Sequence, residues 1–156
     1  MKKLIYPLIL LLMFACSDDD GGGTTNPNID LMVGTWNLTQ LQINPAQDVN
    51  EDGNTTTNVL DELPCMNGQI TFRADNTWSF QGTDLVITTI TGGLFKFFCG
   101  DALSEGGNWD VQGNNVRLVN STGVLTQFSL NANDLTISNI IGETLPGLQA
   151  EVYTKQ

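Results

Sequence analysis

From Gly68 to the C-terminus the chain is a succession of short apolar–polar alternations, each cut by a turn signal, and no stretch sustains a helical period. Alternation with period two puts successive side chains on opposite faces of a strand. Ile70, Phe72 and Ala74 alternate with Gln69, Thr71 and Arg73, and Trp78 and Phe80 continue the inward face after a turn at residues 74–77. Asn76 is the residue of that turn suited to a left-handed backbone. Gly82-Thr83-Asp84 reads as the next turn, before the β-branched run 85–91, and Gly92-Gly93 breaks that run ahead of residues 94–98. Residues 101–107 read as a polar connection. Trp109 and Val111, Val116 and Leu118, Phe128 and Leu130, then Leu135 and Ile137 mark further strands around the turns 113–115, 121–123 and 131–134, and residues 148–155 form the last strand.

The first strong strand lies upstream, at residues 33–43. Trp36 and Leu38 share one face of a regular strand, whereas Leu41 and Ile43 fall on the other. A face switch near Gln40 predicts a bulge or sharp bend. A bent first strand that pairs at both ends is one way to close a sheet. The expected fold is therefore all-β, an up-and-down antiparallel barrel of about eight to ten strands over residues 29–156. Two packed sheets would satisfy the same pattern.

The chain begins with a leader. Lys2 and Lys3 precede an apolar run, residues 4–15, too short for a stop-transfer helix and ending at Cys16. Leu12-Met13-Phe14-Ala15-Cys16 looks like a bacterial lipobox, which makes residues 1–15 a lipoprotein signal peptide and Cys16 the lipidated residue. The alternative is an ordinary secretory signal with a chance cysteine. Residues 16–28, rich in Asp, Gly, Thr and Asn, read as a flexible tether. The expected location is the outer membrane or cell surface, with the membrane as a partner through the lipid anchor. In an exported chain the two remaining thiols, Cys65 and Cys99, pair most simply as a disulfide, two buried free thiols being the alternative.

Charge and composition exclude several functions. The 156 residues carry 6 basic against 17 acidic side chains, and removing the leader takes away two of the basic ones. Such a surface repels phosphate backbones, so no nucleic-acid partner is expected. There is no histidine, hence neither the commonest general base nor the commonest transition-metal ligand. With no nucleophile–base set in view, the chain reads as a non-enzyme.

The segment 44–64 is poor in strand pattern. Its Asp48, Asn50, Asp52, Gly53 and Asn54 match the first half of an EF-hand-type calcium loop. Val59 stands where the bidentate glutamate would be, with Asn58, Asp61 and Glu62 nearby as substitute ligands. A structural calcium is one reading; a solvated acidic turn is the other. Residues 59–63 form a candidate helical turn capped by Asn58.

Taken together, Cys16, Gly34-Thr35-Trp36, the Asp-rich loop running into Glu62-Leu63-Pro64-Cys65, and the hairpin from Ile70 to Trp78 resemble the lipocalin-like lipoproteins of Bacteroidota-type bacteria. The resemblance implies a barrel whose base is plugged by the first-strand tryptophan, Trp36, with a basic residue of the last strand over it; Lys155 is the candidate. An eight-stranded barrel is just wide enough for one small apolar or amphipathic ligand, for which Phe72, Trp78, Phe80, Phe97, Trp109 and Phe128 are the candidate lining residues; the alternative is that these aromatics fill the interior completely. The competing reading is a surface module that binds a protein or glycan and holds no small molecule.

Overall fold

A computed structural model of the chain describes residues 26–93, 95–141 and 147–156. The leader, Cys16 and the tether as far as residue 25 lie outside the described residues. A short helix, α1 (Asn28–Met32), leads into β1 (Gly34–Gln47). There follow β2 (Thr56–Asn58), a single 3-10 turn (Val59–Asp61), β3 (Gly68–Phe72), β4 (Thr77–Thr89) and β5 (Phe95–Gln112). The chain ends with β6 (Asn115–Asn120), β7 (Leu125–Asn131), β8 (Thr136–Ile140) and β9 (Leu148–Lys155).

Every pairing is antiparallel between neighbours in the order β1-β3-β4-β5-β6-β7-β8-β9, and β9 pairs back onto β1. Eight strands therefore close into a barrel, which rules out two stacked sheets, and β2 hangs outside on the second half of β1. Closure depends on the bend in β1. Its register against β9 shifts between Leu38 and Gln40, so one extra residue is absorbed there. That bulge reverses the alternation, and Trp36, Leu41 and Ile43 all end up buried inside.

Three sequence expectations change. Residues 101–107 are not a connection: they pair with β4, Leu103 opposite Gly82 and Glu105 opposite Phe80, within an 18-residue strand. Gly82-Thr83-Asp84 is not a turn but an irregularity inside β4, where the register shifts between Thr83 and Leu85. The tether does not reach Asn28, because Asn26 Nδ2 donates to the Val111 carbonyl (3.0 Å) and Asn28 Nδ2 to the Gly113 carbonyl (2.8 Å), fixing these residues to the barrel.

Two apolar clusters sit at different heights. At the base, Trp36, Phe72, Trp109 and Ile137 pack with Met32 of α1. Phe72 stands edge-on to both indoles, 6.3 Å from Trp36 and 5.2 Å from Trp109. Further along the barrel, Leu41, Ile43 and Phe97 pack with Val49, Val59 and Leu148, so the long β1–β3 segment folds over that end. The Cys65–Cys99 disulfide, with Cα atoms 6.2 Å apart, fastens the end of this segment to β5.

The wall is tightest at Gly107, where β5 passes between β4 and β6. A Cβ there would overlap the Val119 carbonyl oxygen and stand 2.8 Å from the Asn120 Cα. Both obstacles are backbone and cannot rotate away. Gly107→Ala is expected to lower stability by about 1–3 kcal/mol, read as a fall in the urea midpoint.

Candidate functional site

Between the two clusters the barrel is hollow. One lobe, of about 310 Å³, is lined by Trp78, Phe80, Leu118 and Phe128 together with Thr126, Asn139 and Glu105. A second, of about 160 Å³, is lined by Leu38, Leu41, Met66, Leu85 and Leu148 with Asn67, Thr83 and Asp84. Phe80, Leu103, Glu151 and Tyr153 line both, so the lobes adjoin across these four side chains. Their combined size lies within the roughly 300–1,000 Å³ usual for small-molecule sites.

Local backbone geometry explains where Phe80 lies. Gly68 and Gly82 are directly opposite in register, and neither has a side chain to fill the inner face. A Cβ on Gly82 would stand 2.6 Å from both Phe80 Cζ and the Asn67 carbonyl oxygen. The Phe80 ring thus lies across bare backbone, and a larger residue at Gly82 would push it into the cavity.

Of the six aromatic candidates, the structure places Trp78, Phe80 and Phe128 on the cavity. Phe72, Phe97 and Trp109 do not line it. Trp78 and Phe128 belong to the core cluster around Trp36 too, but also border the cavity; within that cluster Phe72 and Trp109 are turned edge-on to each other, and Phe97 packs in the other cluster. The sequence assigned them to the inner face, but an inner position at the wrong height meets packed side chains.

The residues missed are polar. Glu151 and Tyr153 alternate inward along β9 with Lys155, opposite Leu41, Leu38 and Trp36 of β1. The Tyr153 hydroxyl donates to Glu151 Oε2 (3.3 Å). Burial raises the Glu151 carboxyl above its ordinary range, against a partial opposing effect of the Tyr153 hydroxyl. Burial, then the neighbouring Glu151 charge, pushes the Tyr153 hydroxyl well above its usual value.

At the base, the Trp36 indole N–H donates to the Met32 carbonyl (2.8 Å), and Lys155 Nζ lies 5.9 Å from the Trp36 ring while donating to the Leu31 carbonyl (2.5 Å). The last carbonyls of a helix lack intrahelical partners. Two of those of α1 are therefore met by the plug itself, and no opening remains at this end of the described barrel.

A side opening lies elsewhere. β7 and β8 are paired only from Ser129 opposite Ser138 to Asn131 opposite Thr136. Beyond that ladder the strands part, and Thr126, Asn139 and Ile141 line both the larger lobe and an outer groove bordered by Leu125 and Ile140. Those two border residues are 48% and 80% exposed, so among the described residues the slot is an apolar-edged groove that meets the larger lobe.

The six calcium candidates are divided. Asp48 accepts from the backbone N–H groups of Asp52 (3.0 Å) and Gly53 (2.8 Å), and Asn50 also accepts from that of Asp52 (2.9 Å). The Asn54 backbone N–H, followed by the Asn50 amide, holds the Asp52 carboxyl below the usual range. Asn58 caps the 3-10 turn at Leu60 and accepts from the Leu41 N–H (2.9 Å). Glu62, buried, accepts from the N–H groups of Val49 and Asn50. Asn58 thus serves backbone outside the Asp48–Asn54 turn, whereas Glu62 ties down the turn's own Val49 and Asn50, and among the described residues no three of His, Cys, Asp or Glu gather to hold a metal.

An antiparallel barrel plugged at its base with a cavity above it is a fold of the ligand-binding type. The model of the lipocalin-like domain family matches residues 32–137, more than half of the chain, and the chain belongs to that family. No curated protein and no solved structure matches it.

Proposed function

We propose that this protein is a lipid-anchored envelope protein whose barrel holds a small apolar or amphipathic molecule. The observation that carries the reading is the pair of adjoining lobes, walled by Trp78, Phe80, Leu118 and Phe128 and reached through the slot between β7 and β8. A concave site bordered by aromatic and aliphatic side chains, with polar groups among them, is what small-molecule sites share, and here it is open on one side, where Leu103 and Glu105 are exposed. Anchoring through Cys16 is supported by the leader pattern, and among the described residues no helix is long and apolar enough to cross a membrane. The binding reading is supported by the cavity's titratable groups among the described residues, which are carboxylates and a tyrosine.

Native mass spectrometry of the purified protein tests this directly, with uptake of the neutral dye N-phenyl-1-naphthylamine as a second measure. The expected results are a retained small molecule or a saturable rise in dye fluorescence. A bare chain that also leaves the dye dark would sink the ligand reading.

One observation favours the surface-module alternative. Val86 and Phe98 are cross-strand partners on the outside of the β4–β5 arm, and both are exposed, as is Ile90 beyond them. Reproducible cross-linking of one protein through this arm, lost in Phe98→Ser, would support that function.

A further inference from the structure

We infer that the ligand carries a cationic or strongly hydrogen-bond-donating head, such as a protonated primary amine, which Glu151 receives at the junction of the two lobes. This deepens the reading of the barrel as a small-molecule site and rests on it.

The geometry is specific. Among the described residues, Glu151 is one of four side chains that line both lobes, so a molecule occupying either one meets its carboxylate. Oε2 accepts from the Tyr153 hydroxyl, but among the described residues Glu151 forms no ion pair. Among the described residues the titratable groups lining the lobes with it are acidic or neutral: buried Tyr153 on its own strand, and the exposed Glu105 on β5 and Asp84 on β4. Asn139, its cross-strand neighbour on β8, is uncharged, and among the described residues no lysine or arginine lines either lobe. Lys155, the nearest inward cation along β9, is held at the base by the Leu31 carbonyl.

A carboxylate taken out of water without a counter-charge is costly, and a bound cation offsets that cost. A fatty-acid-like anion would bring a second negative charge to a cavity with none to neutralise it. The apolar walls then suit an alkyl or aromatic body, and the charged end sets the specificity. Ionisation sets the pH dependence. Burial raises the Glu151 carboxyl, so it becomes neutral on acidification before an ordinary glutamate would, while an alkylamine stays cationic. Amine binding is therefore strongest at high pH and is lost as the pH falls through the raised value.

The test uses three probes with the same tail, n-octylamine, n-octanol and octanoate, titrated into the purified protein and read by dye displacement or calorimetry. At about pH 8, octylamine is expected to bind about tenfold more tightly than octanol, the size of one charge-assisted hydrogen bond, with octanoate weakest. In Glu151→Gln the amine-to-alcohol ratio should collapse toward one. This variant keeps the shape and removes a charge that burial disfavours, so its thermal midpoint at that pH should hold or rise. In the unmodified protein the same ratio should fall as the pH is lowered from about 8 through the raised value, while Glu151→Gln shows no such slope. Equal binding of the three probes, or a preference for octanoate, would overturn the inference and leave the cavity as a general apolar site. Binding of none would overturn the ligand reading itself.

Discussion

Trp36→Ala is expected to cost about 3–5 kcal/mol, the range for removing a fully buried large aromatic side chain. The loss has three parts. The indole fills the base against Phe72, closes the helix through the Met32 carbonyl, and offers its face to Lys155. Trp36→Phe separates them, because it keeps most of the packing and leaves a buried carbonyl without its donor, at about 1–3 kcal/mol. Lys155→Met should cost least, since a cation over a ring is worth about 0.5–2 kcal/mol and one helix carbonyl loses its partner. Urea unfolding of the three variants should rank them in that order, with similar denaturant slopes. If Trp36→Ala unfolds at the unmodified midpoint, the indole is not what closes the barrel.

That same residue shows what a sequence can and cannot disclose. The face switch after Leu38 announced the bulge, because a period-two pattern cannot reverse without an inserted residue. Asn76 was legible for a similar reason: its φ of 63° belongs to a conformation that few residue types tolerate. Depth along the barrel was not legible. Alternation tells which side of the wall a side chain occupies but not its height, so Phe72 and Trp109 at the base looked the same as Trp78 and Phe128 at the cavity. Residues 101–105 were misread for a reason tied to the site itself. Where a barrel is hollow its inner face need not be apolar, so Glu105 broke the pattern that identifies strands. Glu151 was legible in principle: once Lys155 is placed inward over Trp36, counting back in twos along β9 puts Tyr153 and then Glu151 on the inner face.

Replacing Cys65 and Cys99 by serine is expected to lower stability by about 4 kcal/mol, with a drop in thermal midpoint on the order of 10–20 °C. The closed loop spans a sequence separation of 34, and the cross-link removes conformations from the unfolded chain. Most of the effect therefore lies in the unfolded state, and the denaturant slope should rise as that state expands. In the folded state the loop keeps other fastenings: Thr83 Oγ1 (3.1 Å) and Asn67 Nδ2 (3.2 Å) both donate to the Cys65 carbonyl. The serine variant should accordingly keep its fold at room temperature. Its smaller lobe is the part exposed to loosening, because Met66 and Asn67, which follow the cross-link, form part of that wall. Dye affinity should weaken well below the melting range, and hydrogen exchange should quicken first around residues 65–67. A loss of under about 1 kcal/mol with an unchanged slope would mean that the unfolded chain already brings β5 and this segment together, and that the bridge adds little to the barrel.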